Sequence, residues 1–354
     1  MKNLIAPLVL LAALHSIAFG DGKVMPPRDY KGSLEEKAQE AIIVFTPGTA
    51  EKSAVQDLII KIQVAGKVDD FAWVVPFPTK PTTHEEDATL FKECFNYVAA
   101  RRSPQSKPKA LGTKGEAANE ARPTPAGVEV LSREVVGSYD VAIVKENAAG
   151  ALNVWLKKEG FQELKDAEDV IGFYRNKGYV FACMKVANTK LSKTGTADLH
   201  PLRFTFETGG RDGIYFPMKM TSLQNDPFDV NLYIFYQAWL NDHINGYGFE
   251  HRGFDLKWRD YDTKLCKANA GKTWSAPKSD PYLKGYAGRI PELTRFFQAR
   301  HAGKRFYLTN ITARGLKPKR VRTWDNDLWM FPYYTDRKMV PYDARDGGAA
   351  ASKR

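Results

Sequence analysis

Three features predict an α+β fold with a largely antiparallel sheet. They are short segments alternating apolar and polar residues, two consecutive amphipathic helices closed by glycine, and a long proline- and lysine-rich insertion between two groups of strands. A hydrophobic fraction of 43% and an aromatic fraction of 12% belong to a chain that buries a core. The expectation is a sheet with two packed helices after the insertion, followed by a C-terminal extension.

Ala41 to Thr46 and Leu58 to Val64 read as strands, the second alternating Leu58, Ile60, Ile62 and Val64 against Ile59, Lys61 and Gln63. Phe71 to Phe77 is a third, placed near a sheet edge because Pro76 and Pro78 donate nothing to a ladder. Thr83-His84-Glu85-Glu86 matches a capping box, so a helix is expected from there to about Ala100, with Phe91, Cys94, Phe95 and Val98 on its apolar face. His84 and its acidic neighbours are explained by capping, without a metal. Residues 103–126 hold proline, lysine, alanine and glycine with almost no large apolar side chain, and are expected to form a mobile insertion.

Val128 to Val136 and Tyr139 to Val144 are the next strands. Asn147 and Asp166 are placed as caps of the two helices, whose buried stripes are Leu152, Trp155 and Leu156, then Val170, Ile171 and Tyr174. Gly160 and Gly178 sit where a left-handed residue ends each helix. A strand from Tyr179 to Val186 follows. Leu202 to Glu207 and Ile214 to Thr221, joined by Thr208-Gly209-Gly210, read as a hairpin. Phe228 to Tyr236, a helix from Pro291 to Arg300 and a strand from Arg305 to Ile311 complete the pattern, and residues 342–354 read as a disordered tail.

Lys2, the apolar run Leu4 to Leu14 and Ala18-Phe19-Gly20 have the order of a signal peptide over residues 1–20, predicting an exported protein, periplasmic or extracellular. That apolar run is too short to span a membrane, which needs roughly 20 residues, and no run of that length follows, so no transmembrane segment is expected in the mature chain. Cys94, Cys183 and Cys266 are too few and too scattered for a disulfide framework or a zinc site. Cys94 and Cys183 read as buried hydrophobes that leave one bridge open as a possibility, and Cys266 has basic neighbours without an evident histidine partner.

The run Phe71-Ala72-Trp73-Val74-Val75-Pro76-Phe77-Pro78 is followed by Leu152-Asn153-Val154-Trp155-Leu156 with Gly160-Phe161, and by Tyr174 with Gly178-Tyr179-Val180-Phe181. Then come Pro201-Leu202-Arg203-Phe204-Thr205-Phe206 and Ile214-Tyr215-Phe216-Pro217-Met218. Over roughly residues 38 to 222 this ordered set resembles the bacterial domain of unknown function 2330 family. The resemblance implies an exported bacterial protein and supplies no activity, cofactor or catalytic residue. It places the strands on both sides of the insertion in one domain, 38–222, with 21–37 as a lead and 223–341 as an aromatic-rich extension.

No common catalytic signature is present, which points to a noncatalytic protein without a cofactor or resident metal. The best local constellation for an extracytoplasmic hydrolase is Asp242, His243, Glu250, His251 and Asp255 on a glycine-rich loop, which also reads as ordinary surface polarity. The formal charge of +11 favours anionic partners. Arg314, Lys317, Lys319, Arg320 and Arg322 crowd into nine residues, with Trp324 and Trp329 close behind. Cations with flat rings suit an anionic polysaccharide or lipid headgroup, and an envelope protein is a further candidate partner. No specific nucleic acid partner is indicated. The same stretch also reads as a solvated loop beside core aromatics.

Overall fold

The computed structural model describes residues 22–31, 35–36, 38–49, 51–61, 63–65, 70–102, 127–186, 196–208, 213–236, 250–254, 290–301 and 306–330. A five-stranded sheet runs in the spatial order β1 (Lys23–Met25), β6 (Phe71–Phe77), β10 (Val180–Val186), β9 (Tyr139–Glu146) and β8 (Val128–Val136), antiparallel throughout. A seven-stranded sheet runs β15 (Glu250–Phe254), β16 (Tyr307–Leu316), β14 (Phe228–Tyr236), β3 (Ala38–Thr46), β4 (Val55–Lys61), β12 (Leu202–Glu207) and β7 (Thr82–Glu85). Among the described strands, only β14 and β3 pair in parallel. Smaller sheets join β11 (Thr196–Asp198), β5 (Gln63–Ala65) and β2 (Glu35–Glu36), and β13 (Ile214–Phe216) with β17 (Leu328–Met330). The helices are α1 (Thr89–Arg102), α2 (Ala151–Lys158), α3 (Glu168–Asn176), α4 (Pro291–Arg300) and α5 (Pro318–Arg322), with a 3-10 turn at Met220–Leu223. The mixed α+β class with antiparallel sheets is as expected.

Strand alternation explains the layering. Phe77 packs its ring on Phe204 at 4.8 Å and Phe206 at 5.1 Å, joining the inner faces of the two large sheets. The other face of the five-stranded sheet receives α2 and α3, where Tyr174 meets Phe181 and Trp155 is buried with Leu152 and Leu156. In β3, Ala41, Ile43 and Phe45 belong to this core, while Ile42 and Val44 join a second one. There Ile59, Tyr233, Phe235 and Leu308 pack against Leu90, Phe91, Cys94, Tyr97 and Val98 of α1 and Leu293, Phe296 and Phe297 of α4. The order is therefore helix, sheet, sheet, helix, and the unbroken apolar run Ala41–Phe45 reflects a strand covered on both faces.

Several local expectations are corrected. Thr83-His84-Glu85-Glu86 is not a capping box: Thr82–Glu85 forms β7 against β12, with β-branched Thr83 buried and Glu86 N–H bonded to the Pro201 carbonyl at 3.0 Å. The helix begins at Thr89, whose N–H is capped by Asp87 Oδ1 at 2.7 Å, and this start leaves Phe95 exposed. The expected hairpin between Leu202 and Thr221 does not form. β12 lies between β4 and β7, and β13 pairs with β17 more than a hundred residues later. β6, by contrast, lies next to the sheet edge as expected, since the three-residue β1 pairs only with Ala72–Val74.

Neither Asn147 nor Asp166 caps a helix. Gly150 at φ +78° precedes α2, and the Glu146 carboxylate accepts the Leu152 N–H at 3.0 Å. Asp166 is itself left-handed at φ +49°, a conformation its short polar side chain tolerates, and Ala167 precedes α3. Gly160 and Gly178, at φ +96° and +71°, end the two helices as expected. The boundary placed at residue 222 divides nothing: β14 lies between β3 and β16, so residues after 222 complete the seven-stranded sheet instead of extending it. The insertion 103–126 and the tail 342–354 lie outside the described residues.

Candidate functional site

The basic stretch after β16 is built as a supported ridge. Gly315 turns the chain at φ +60° with its N–H on Asp229 Oδ1 at 2.9 Å, and Pro318 opens α5, where a missing N–H costs no helical bond. Leu316, Pro318, Val321 and Trp324 are buried, so the alternate positions Arg314, Lys317, Lys319 and Arg320 are exposed. None of these four makes an ion pair with a described residue.

The far end of α5 is tied down. Arg322 Nε and Nη2 donate to Asp169 at 2.7 and 2.5 Å, and Nη2 also donates to the Asp166 carbonyl. Hydrogen bonding from Arg322 holds the Asp169 carboxyl below its ordinary range. From below, Lys219 Nζ donates to the carbonyls of Arg322 at 2.9 Å and Trp324 at 2.6 Å, satisfying groups at the C-terminal end of α5. Arg322 is thus committed to an ion pair, and Trp324, expected beside a ligand, is 8% exposed and part of the core. Trp329 is fully buried against Tyr215, ring centroids 5.0 Å apart. The ridge offers cations without aromatic surface.

Of the hydrolase candidates, His243 and Asp255 lie outside the described residues. Glu250 and His251 are positions on strand β15, paired with Thr312 and Ile311, instead of on a loop. Among the described residues no group of His, Cys, Asp and Glu has an arrangement that could hold a metal ion. Cys94 and Cys183 are free, fully enclosed thiols pushed up by burial, the opposite of an activated nucleophile. Cys266 lies outside the described residues.

A buried ionic network escaped the sequence reading. Arg203 Nε donates to Glu86 Oε1 at 2.7 Å, while Nη1 reaches Asp57 Oδ1 at 3.3 Å and Thr205 Oγ1 at 2.6 Å. Arg300 Nη2 meets the same Glu86 oxygen at 2.9 Å, and His301 Nε2 lies 3.1 Å from Asp57 Oδ2. Burial pushes the Asp57 carboxyl up, but His301, Thr205 and Arg203 outweigh it and hold it below its ordinary range. An aspartate orienting a histidine has the form of an acid–base dyad. Here, however, the imidazole packs among Phe296, Phe297 and Phe306, with centroids 5.6 to 5.7 Å away, and Nδ1 is buried with no partner among the described residues. The arrangement fastens the end of α4 to β4 and β12.

Residues 49–323 match a family described as an uncharacterized protein conserved in bacteria, domain of unknown function 2330. The chain belongs to this family. No curated protein matches. Among solved structures, baculovirus P35 is similar at 9% identity and a TM-score of 0.34, covering 64% of this chain and 77% of that one. The DUF2330 match runs past residue 222, the limit of the sequence resemblance, through β14, β16 and α5. It therefore takes in the ridge and parts of both cores, while β1, β3 and β17 lie outside it. No helix among the described residues is long and apolar enough to cross a membrane.

Two buried carboxyls between the helices and the seven-stranded sheet give this DUF2330 chain a pH signature. Glu40 is pushed up to about 7 by burial, against hydrogen bonds from Tyr233 and Asn231 and the charge of Lys61. Glu93 is pushed up to about 7 by burial, although it accepts the N–H groups of Leu293 at 2.7 Å and Glu292 at 3.2 Å at the start of α4. Raised acids bind protons more tightly folded than unfolded, so each contributes stability that is present below pH 4.5 and lost as pH rises to about 7. Glu40→Gln keeps an acceptor for Asn231 and is expected to make the decline from pH 4.5 to 8 shallower by at most about 3 kcal/mol. Urea unfolding across that range checks this; an unchanged slope would show that Glu40 is solvated.

Proposed function

We propose that this chain is an exported, noncatalytic binding protein that contacts an anionic partner through the ridge formed by Arg314, Lys317, Lys319 and Arg320. The observation that carries the reading is that four exposed cations follow one another along the end of β16 and the start of α5 and make no ion pair with a described residue. Cations paired within the surface give little outward potential, whereas exposed ones on an ordered backbone present their charge and leave only side-chain ordering to offset at contact. The formal charge of +11 adds a long-range attraction, and the apolar leader from Leu4 to Leu14 supports an address outside the cytoplasm.

Two variants of equal charge test the reading. Lys317→Gln, Lys319→Gln and Arg320→Gln together should lower the salt at which the purified protein leaves a carboxylate exchange matrix. Lys31→Gln, Lys52→Gln and Lys165→Gln, exposed in loops outside 314–320, should shift it much less. Both should unfold within about 0.5 kcal/mol of the parent, because exposed side chains contribute little to stability. Equal shifts in elution would mean that net charge, not the ridge, governs anion binding.

A further inference from the structure

We infer that the partner is an extended polyanionic polysaccharide, an inference that rests on the ridge being a binding surface. The deciding observation is where the apolar side chains point. Ala313, Leu316, Pro318, Val321, Trp324, Leu328, Trp329 and Met330 are all buried, so every described apolar side chain from 313 to 330 faces inward. The large exposed hydrophobics among the described residues, Phe95 and Val154, lie on α1 and α2.

Each alternative anion asks for something the described residues of this surface do not offer. Stable membrane attachment combines cations with an apolar group entering the acyl boundary, and among the described residues from 313 to 330 no exposed apolar side chain accompanies Lys317, Lys319 and Arg320. Single-stranded nucleic acid binds by stacking bases on aromatic rings, and Trp324 and Trp329 are enclosed. A lone sugar acid would need a pocket with buried polar groups, whereas these cations are exposed on a strand end and a short helix. What remains is positive charge repeated along a short stretch of chain. From Arg314 to Arg320 the backbone spans at most about 15 Å, three extended residues and three helical ones, room for several successive anionic groups of one polymer. Each contact is weak and exposed, so strength comes from many contacts on one chain, and monomers of the polymer should not compete.

The test uses the purified protein with immobilised polygalacturonate, galacturonic acid monomer, vesicles of phosphatidylglycerol in phosphatidylcholine, and a single-stranded oligonucleotide. The expected result is salt-sensitive binding to the polymer that falls at least about tenfold in the Lys317, Lys319, Arg320 glutamine variant and far less in the charge-matched control. Monomer at equal sugar concentration should not compete, and anionic vesicles should retain no more protein than neutral ones at ~0.15 M salt. Vesicle or oligonucleotide binding stronger than polymer binding, and lost in the ridge variant, would overturn the polysaccharide inference while the ridge reading stands. Competition by monomer would do the same. Binding to none of the four, or polymer binding that both triple variants lose equally, would remove the ridge reading itself.

Discussion

Asp327→Ala should abolish stable folding, with a loss of at least about 4 kcal/mol, because it orphans several buried donors at once. Oδ1 accepts the N–H groups of Met218 at 2.9 Å and Lys219 at 2.8 Å and the Tyr174 hydroxyl at 2.9 Å, and Oδ2 takes the Tyr215 hydroxyl at 3.0 Å. Tyr174 also accepts the Met220 N–H at 3.1 Å, so α3, β13, the 3-10 turn and the approach to β17 converge on one carboxyl. Burial pushes that carboxyl up despite four donors, which places it in a dry interior where an unmet hydrogen bond costs most. Asp327→Asn keeps one acceptor and should lose roughly half as much. Urea unfolding of both variants decides the matter, and a loss under about 1 kcal/mol for Asp327→Ala would mean that water replaces the carboxyl.

Arg203→Met should cost about 3 to 5 kcal/mol, since it removes one partner from a buried ionic group and leaves the others enclosed. The Asp57, Glu86 and Arg203 side chains are each about 8 to 9% exposed, and Arg203 touches both carboxylates. Arg203→Lys retains the charge but not the fork, so it should fall between Met and the parent. Hydrogen exchange should show α4 losing protection first, because Arg300 and His301 anchor its end through the same carboxylates. Uniform loss across the whole chain would instead mark the network as part of the main cooperative unit.

Where local pattern decides structure, the chain was legible. β3, β6, β8, β9, β10, β12 and β14 were readable from alternation or apolar runs, and α2, α3 and α4 from their stripes. Partner choice was not. Alternation marks a strand without naming its neighbour, so β12 was paired with the next strand in sequence although its neighbours are β4 and β7. The motif Thr83 to Glu86 satisfied a capping pattern, but position beside β12 outweighed it. The cations of the ridge were visible as a charge run. That Arg322 is paired with Asp169, 153 residues earlier, and that Trp324 turns inward, depend on contacts no window of sequence contains. The network of Asp57 with His301 spans 244 residues and offered no local sign beyond a charged residue within an apolar strand.

Lysine reactivity tests the ridge most directly. With polygalacturonate bound at low salt, brief acetylation read by mass spectrometry should show Lys317 and Lys319 protected several-fold, while Lys31, Lys52 and Lys165 react as in the free protein. Raising the salt should return Lys317 and Lys319 to full reactivity, because exposed charge contacts are screened within about 10 Å at 0.1 M. Unchanged reactivity at Lys317 and Lys319, with protection at the other three lysines, would contradict the assignment of anion binding to this ridge.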